Sequence, residues 1–284
     1  MKTVNSLSGG QTSSYIAANY PADYNVFALV TTSDKNCLFP DEKVRQLVSD
    51  KIGKEFIGTL EEDTIIYTML DLEQFIGSKI DWVSGKTFDE IIIRKDKKYL
   101  PNATKRFCTQ LMKLEPIFNW WLSKFDNPVE MRIGYRANEM RRAKNMNEKT
   151  DKNGFLTTKH IIGKTKTGTR NKWKETAWQK PVFPLINDSI FKDKVVEFWK
   201  DKPVRFAYMN NCIGCFHRNE ILLKYMSVKH PKKYQWFIDA EKDCGYGNLT
   251  FKNGVTYEKI KNSLTQTKLF DDDFNDCDSG YCGL

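Results

Sequence analysis

The first regular pattern along the chain is a short alternating run, Thr3 to Leu7, that breaks at Ser8-Gly9-Gly10 and resumes at helical spacing from Tyr15 to Asn19. An apolar, partly β-branched run, Asn25 to Thr32, predicts a second strand. Asp41 to Ile52 reads as a helix with Val44, Leu47 and Val48 on one face. Thr64 to Met69 is rich in β-branched residues and predicts a strand, followed by a helix over Leu70 to Ile76. Val129 to Gly134 predicts a further strand, and Ile190 to Trp199 and Asn219 to Val228 predict helices. Strands alternating with helices point to an α/β fold, a mostly parallel sheet with helices on both faces.

The pattern lapses between about Ala143 and Gln179, where Gly, Thr, Lys and Asn dominate; a long surface insertion, with a hairpin as its candidate form, is expected over 143–180. The expected organisation is therefore an α/β domain over 1–205 carrying that insertion, and a small Cys-containing C-terminal part over 206–284 with an acidic tail. At 284 residues and 40% hydrophobic composition the chain can bury a substantial core. No apolar run has the length of a membrane span, and the first residues lack the apolar stretch of a secretory signal.

Charge changes this picture locally. The net charge is +9, and the segment from Arg141 to Lys180 holds 12 basic and 3 acidic residues, so it carries the whole excess. Such a segment suits phosphate-bearing partners, nucleic acid among them, or is a solvated surface loop. Trp173 and Trp178 lie within it; aromatic residues mixed with cations can stack on single-stranded bases, while a packed hairpin is the favoured reading. Seven cysteines without a secretory signal suggest free thiols in a reducing cytoplasm, used for packing, metal ligation or redox chemistry. His160 and His230 are read as surface residues, and Trp120, Trp121 and Trp199 as core.

The strand-to-helix turn at Ser8-Gly9-Gly10 has a physical use. Glycine lets the backbone turn tightly and approach a ligand, and a helix start presents unpaired N–H groups to an anion. The turn lacks the Lys of a kinase-type phosphate loop and lacks G-x-G-x-x-G. Ser8-Gly9-Gly10-Gln11-Thr12-Ser13 resembles the PP-loop of the adenine nucleotide alpha hydrolase superfamily, usually S-G-G-x-D-S, with Thr12 in place of Asp. Four further segments follow in the order found in the phosphoadenosine phosphosulfate reductase family. They are Leu100 to Thr109 with Lys113 and Pro116, Gly134 to Glu139 with Arg142, Phe183 to Asp188, and Asn211 to Phe216.

This resemblance implies an adenine nucleotide alpha hydrolase-like fold that binds an adenine nucleotide, either an adenylyl sulfate or ATP. Ser8, Gly9, Gly10, Thr12 and Ser13 would bind it, with Arg106, Lys113, Arg136, Glu139 and Arg142. Arginine suits phosphate and sulfate oxygens by two-pronged contact, lysine as a point charge. Glu139 would orient Arg136 or a metal, or serve as a helix-start acid. The implied metal group is a [4Fe–4S] cluster, with zinc as the alternative, on Cys108, Cys212 and Cys215; Cys244 is the first candidate for the fourth ligand and His217 the second. Phe107 stands where iron–sulfur members have another cysteine. Buried packing or a redox pair are the other readings of Cys212 and Cys215.

Cys282-Gly283-Leu284 resembles part of the E-C-G-L-H segment of sulfonucleotide reductases, with Tyr281 in place of Glu. The implied activity is thiol-dependent reduction of an adenylyl sulfate, an oxidoreductase reaction with Cys282 as catalytic nucleophile and a thioredoxin-like reductant. Cys277 and Cys282 are also a candidate redox or ligand pair. The alternative is an ATP-pyrophosphatase-type sulfurtransferase acting on a nucleic acid or small-molecule acceptor. A nucleotide-binding protein without turnover is the third.

Overall fold

Strand β1 (Thr3–Leu7) lies at the centre of a six-stranded sheet with β2 (Tyr24–Ala28), β3 (Ile80–Val83), β6 (Val129–Arg132), β7 (Leu156–Lys164) and β8 (Asn171–Val182). The computed structural model describes residues 1–94, 97–165, 168–242 and 249–264. The strand order is β3-β2-β1-β6-β8-β7; all neighbours are parallel except β7, which pairs antiparallel with β8. Strands β4 (Ile93–Arg94) and β5 (Lys97–Lys98) form a separate antiparallel pair.

Alternation along the strands divides the core in two. On β2, Phe27 faces one hydrophobic cluster and Val26 and Ala28 face another. The first cluster takes Tyr15 and Ile16 from α1 (Gln11–Asn19), Val48 from α2 (Glu42–Ile52), Ile65, Ile66, Met69 and Leu72 from α3 (Thr64–Ile76), and Val195 and Trp199 from α9 (Lys192–Trp199). The second takes Phe118, Trp120 and Trp121 from α6 (Glu115–Lys124) and Ala143 and Met146 from α7 (Met140–Asn147). Helices therefore cover both faces, as the pattern predicts, and Trp120, Trp121 and Trp199 are core.

A third cluster joins the C-terminal helices α10 (Glu220–Lys229), α11 (Pro231–Lys242) and α12 (Tyr257–Asn262) to α4 (Phe88–Ile92) and to Cys108 on the short helix α5 (Phe107–Thr109). From α5 the chain passes through a π-helical turn, Gln110–Leu114, into α6. The short helix α8 (Pro184–Asn187) follows β8.

Two expectations are corrected. Thr64 to Met69 is helix, not strand. Its buried residues Ile65, Ile66, Met69 and Leu72 recur at helical spacing, and burying that face overrides the local preference of β-branched residues. The edge strand is instead Ile80–Val83. The segment 143–180 is not purely a surface insertion either: its last residues, Gln179 and Lys180, pair with Val129 and Glu130 inside the main sheet, and the same strand runs on to Val182. No helix among the described residues is long and apolar enough to cross a membrane.

Candidate functional site

The strand order places the site. From β1 the chain builds outward to β2 and β3, then returns to build β6 and β8 on the other side, so the order reverses between β1 and β6. The helix after β1 packs on one face and α7, after β6, packs on the other. The loops leaving the ends of β1 and β6 lie side by side there, at the switch point where an open α/β sheet usually holds its ligand. Those two loops are Ser8 to Gly10 and Gly134 to Glu139.

The first loop is built tightly. Gly9 has φ +82°, a left-handed conformation, and a Cβ on it would come within 2.6 Å of Ile65 Cγ2. Ser8 N–H donates to Ser13 Oγ (3.1 Å), and Ser13 Oγ donates to the Gly10 carbonyl (3.1 Å). The Ser13 hydroxyl thus braces the turn itself. Gly10 caps α1 without any side-chain bond, so the first-turn amides of that helix keep their dipole end unneutralised. Thr12 and Ser13 are buried, Ser8 half-buried. Trp199 Nε1 donates to the Gln11 carbonyl at 3.0 Å, which fixes the helix start from α9.

The second loop lies against the first turn of α1. A Cβ on Gly134 would stand 3.4 Å from Ser13 N and Cα. Two residues on, Arg136 is only 2% exposed. Glu139 Oε2 accepts from Arg136 N (2.9 Å) and Arg136 Nε (3.1 Å), and its other oxygen accepts from Arg142 Nη1. Arg142 lies over the Tyr135 ring, 4.4 Å from its centroid, and Tyr135 stacks on Phe183. Glu139 therefore orients both arginines. Arg136 Nη1 is buried with no hydrogen-bond partner among the described residues. A buried guanidinium N–H left unsatisfied is costly and is the kind of donor an anionic ligand completes.

Arg106 and Lys113 belong to a different neighbourhood. Arg106 precedes α5 and is near enough to His217 that, after burial, it and Lys252 hold the imidazole below its ordinary pKa. Lys113 Nζ pairs with the buried carboxylate of Glu61 at 3.1 Å. The sequence does not bring these two to the Gly134 to Arg142 loop; the fold sets them beside the cysteine turn and the start of α3.

That turn is Cys212 to Cys215, closed by Cys215 N–H donating to the Cys212 carbonyl (3.0 Å). Gly214 is required in it, because a Cβ would come within 2.5 Å of the Phe237 ring. Cys108 and Cys212 pack in the same hydrophobic cluster, with Ile213 and Phe216. Cys108 and Cys215 are buried and Cys212 is half-buried. Among the described residues no group of three or more His, Cys, Asp or Glu is placed to hold a metal ion. Cys244, the first candidate for a fourth ligand, lies outside the described residues, as do Cys277 and the candidate nucleophile Cys282. Cys37 joins this cluster, and burial pushes its thiol up to about 12, so it stays neutral.

The start of α3 links the two turns. Ile65 touches Gly9, while the Leu60 carbonyl accepts from Ile213 N (2.7 Å) and Glu62 Oε1 accepts from Met209 N (2.7 Å). Six residues of chain thus separate the glycine turn from the cysteine turn. Around them sits an ionic network that sequence reasoning missed. Lys233 Nζ donates to the Glu61 carbonyl and to Asp63 Oδ1, both at 2.7 Å. His230 Nε2 is 3.5 Å from Glu62. Burial raises the Glu62 carboxyl, but the neighbouring His230, the Met209 N–H bond and the charge of Arg218 outweigh it and hold it below its ordinary value. Arg218 is 1% exposed and donates Nη2–H to the Asn211 carbonyl at 2.9 Å. His230, read as a surface residue, is half-buried, with its ring facing Glu62. His160, likewise, hydrogen-bonds Thr176 and packs edge-on against Phe118. A lone charged or aromatic polar residue carries no sequence mark of burial, so none of these was legible beforehand.

Compared with models of known protein families, with curated proteins and with solved structures, the chain matches none.

Proposed function

We propose that this protein binds an adenine nucleotide between Ser8–Gly10 and Gly134–Glu139 and uses it for sulfur chemistry, as a phosphoadenosine phosphosulfate reductase-like enzyme with an adenine nucleotide alpha hydrolase-like fold. The observation that carries this reading is the segment 60–65 leading into α3, which contacts the glycine turn through Ile65, the cysteine turn through Leu60, and Met209, just ahead of that turn, through Glu62. A nucleotide's anionic end and a set of thiols would then share one neighbourhood.

The residues divide the work by chemistry. The α1 N-terminus and Ser8 would receive phosphate oxygens, and Arg136, aimed by Glu139, would supply a fixed cation. Cys108, Cys212 and Cys215 are soft thiolate donors of the type an iron–sulfur cluster or zinc takes, with Cys244 as the candidate fourth. In the reductase reaction the Cys282 thiolate attacks the sulfur of an adenylyl sulfate. A sulfur–sulfur bond forms, the sulfur–oxygen bond breaks, and the adenine nucleotide leaves with the electron pair. A thioredoxin-like dithiol then supplies two electrons, releases sulfite and is itself left as a disulfide.

Isothermal titration with adenosine phosphosulfate and its 3′-phosphorylated form tests the nucleotide site. Arg136→Ala is expected to weaken binding by about 10- to 100-fold, the loss of one charged hydrogen bond. Sulfite release with a thiol reductant is expected to vanish in Cys282→Ser. Absence of any adenine nucleotide binding, or unchanged binding by Arg136→Ala, would overturn the proposal. An ATP-pyrophosphatase-type sulfurtransferase is the second reading, favoured by the exposed cationic segment of β7 and β8; pyrophosphate release from ATP with no sulfite release selects it.

A further inference from the structure

The outer part of the β7–β8 hairpin is a two-stranded ribbon with solvent on both faces. Along β8 the residues Asn171 to Glu175 alternate between the two faces and all are exposed, while on β7 Ile161 and Ile162 sit at a bulge in the pairing. Both isoleucines are close to half exposed, and Trp173, paired with Ile161 across the ribbon, is 59% exposed. An isolated two-stranded ribbon has little stability of its own in water. This one is anchored at its root, where Trp178 is buried against Phe118 and Trp121 and His160 meets Phe118. Further out it is stiffened by Thr157 donating to Glu175 (2.6 Å) and Lys164 donating to Asn171 (2.7 Å). The two tryptophans of the basic segment therefore part company: Trp178 is core, as a packed hairpin predicts, and Trp173 is a solvent-facing platform.

The charge around that platform is predominantly positive. Lys159, Lys164, Arg170, Lys172 and Lys174 are exposed on the ribbon, against a single carboxylate, Glu175, which already accepts from Thr157. Lys164 shares a face with Asn171, and strand alternation puts Asn171 and Trp173 on that same face, with Lys159 across from Glu175. A flat indole with an aliphatic neighbour and flanking ammonium groups matches what a nucleic-acid strand presents, a base face and phosphates. Unpaired bases offer their faces; the bases of a duplex are already stacked and offer only edges.

We infer that the β7–β8 ribbon is a docking surface for single-stranded nucleic acid, with a base stacked on Trp173 and Ile161 and the backbone held by Lys159 and Lys164. The inference rests on neither reading of the nucleotide site. Gln179 is level with Val129, so residues 171–178 run on past the beginning of β6, away from the end of that strand that leads to Gly134. Lys172 to Val182 is roughly 33 Å of strand at 3.3 Å per residue. A strand bound there is tethered, not delivered to the nucleotide site of the same chain.

Fluorescence anisotropy of labelled oligothymidylate with the full-length protein is the test. Binding at low salt that weakens as salt rises is expected. Trp173→Ala should weaken it about tenfold by loss of one stacked base, with Trp173→Phe retaining most of it. Replacing Lys159 and Lys164 together by Ala should reduce the slope of log affinity against log salt by about 1.4, the single-strand value for two phosphates. Arg136→Ala should leave the oligonucleotide affinity unchanged, which separates this surface from the nucleotide site. The inference is overturned if the single strand does not bind at low salt, if a duplex binds as tightly and Trp173→Ala changes nothing, or if polyglutamate competes as well as the oligonucleotide.

Discussion

Gly9 shows how much a single position decides. Its φ of +82° and the 2.6 Å approach to Ile65 make two separate demands, one on the backbone and one on space. Gly53, at φ +69° with nothing within 4 Å of a Cβ, makes only the first. Gly53→Ala is therefore expected to lower stability by about 1 kcal/mol, the left-handed penalty alone. Gly9→Ala should cost at least about 2 kcal/mol, because overpacking against Ile65 is added. Urea midpoints measured at constant slope compare the two; equal losses would refute the steric contribution. The glycines of the first turn, Arg136 and Glu139 were readable as candidates from their order along the chain. That Glu139 binds both Arg136 and Arg142 was not, and neither was the burial of Arg218 and Lys233. Burial of a charge depends on partners brought from distant segments, such as Glu61 and Asp63 for Lys233.

Among the elements, helix boundaries followed the sequence most closely where a cap marks them. Asp41 accepts from Val44 N at the start of α2, and Asn219 accepts from Leu222 N (2.8 Å) at the start of α10. Asn219 closes the segment that carries Cys212, Cys215 and Arg218, so its cap also sets the exit of the cysteine turn. Asn219→Ala is expected to lower stability by about 1 kcal/mol and Asn219→Asp to retain it, read by thermal or urea unfolding. Equal stability of the alanine variant would show that the cap is dispensable. Thr64 to Met69 shows the limit of local preference. β-branched residues favour strands, yet α3 forms because four apolar side chains share one helical face against the sheet.

For the molecule as a whole, ionic contacts between distant segments tie its stability to pH. Asp71 is held below its ordinary value chiefly by the Arg205 hydrogen bonds. Asp81 is raised by burial but held lower on balance by Lys124 and Trp120, and Glu62 is likewise lowered on balance. A carboxyl lowered in the folded state adds stability above its unfolded pKa and loses it as pH falls through the folded value. Glu241, raised by burial, works in the opposite sense. Asp23 is held far below its ordinary value too, chiefly by its bond to Lys2. With four lowered carboxyls against one among the described residues, the urea midpoint is expected to fall as pH is taken from about 6 to about 3, below the ordinary carboxylate range. A flat profile across that window would contradict it.

The sequence by itself determined the α/β class, the helices marked by caps and apolar spacing, and the identity of the glycine turn and cysteine turn as the places to look. Each of these is a local matter of periodicity or backbone freedom. The tertiary structure alone decided that the strand order reverses between β1 and β6, so that the loops after those strands meet. It also decided that α3 begins between the two turns and that Trp173 faces water while Trp178 is buried. Those outcomes depend on which distant surfaces bury one another, and nothing in a single linear segment encodes its partner.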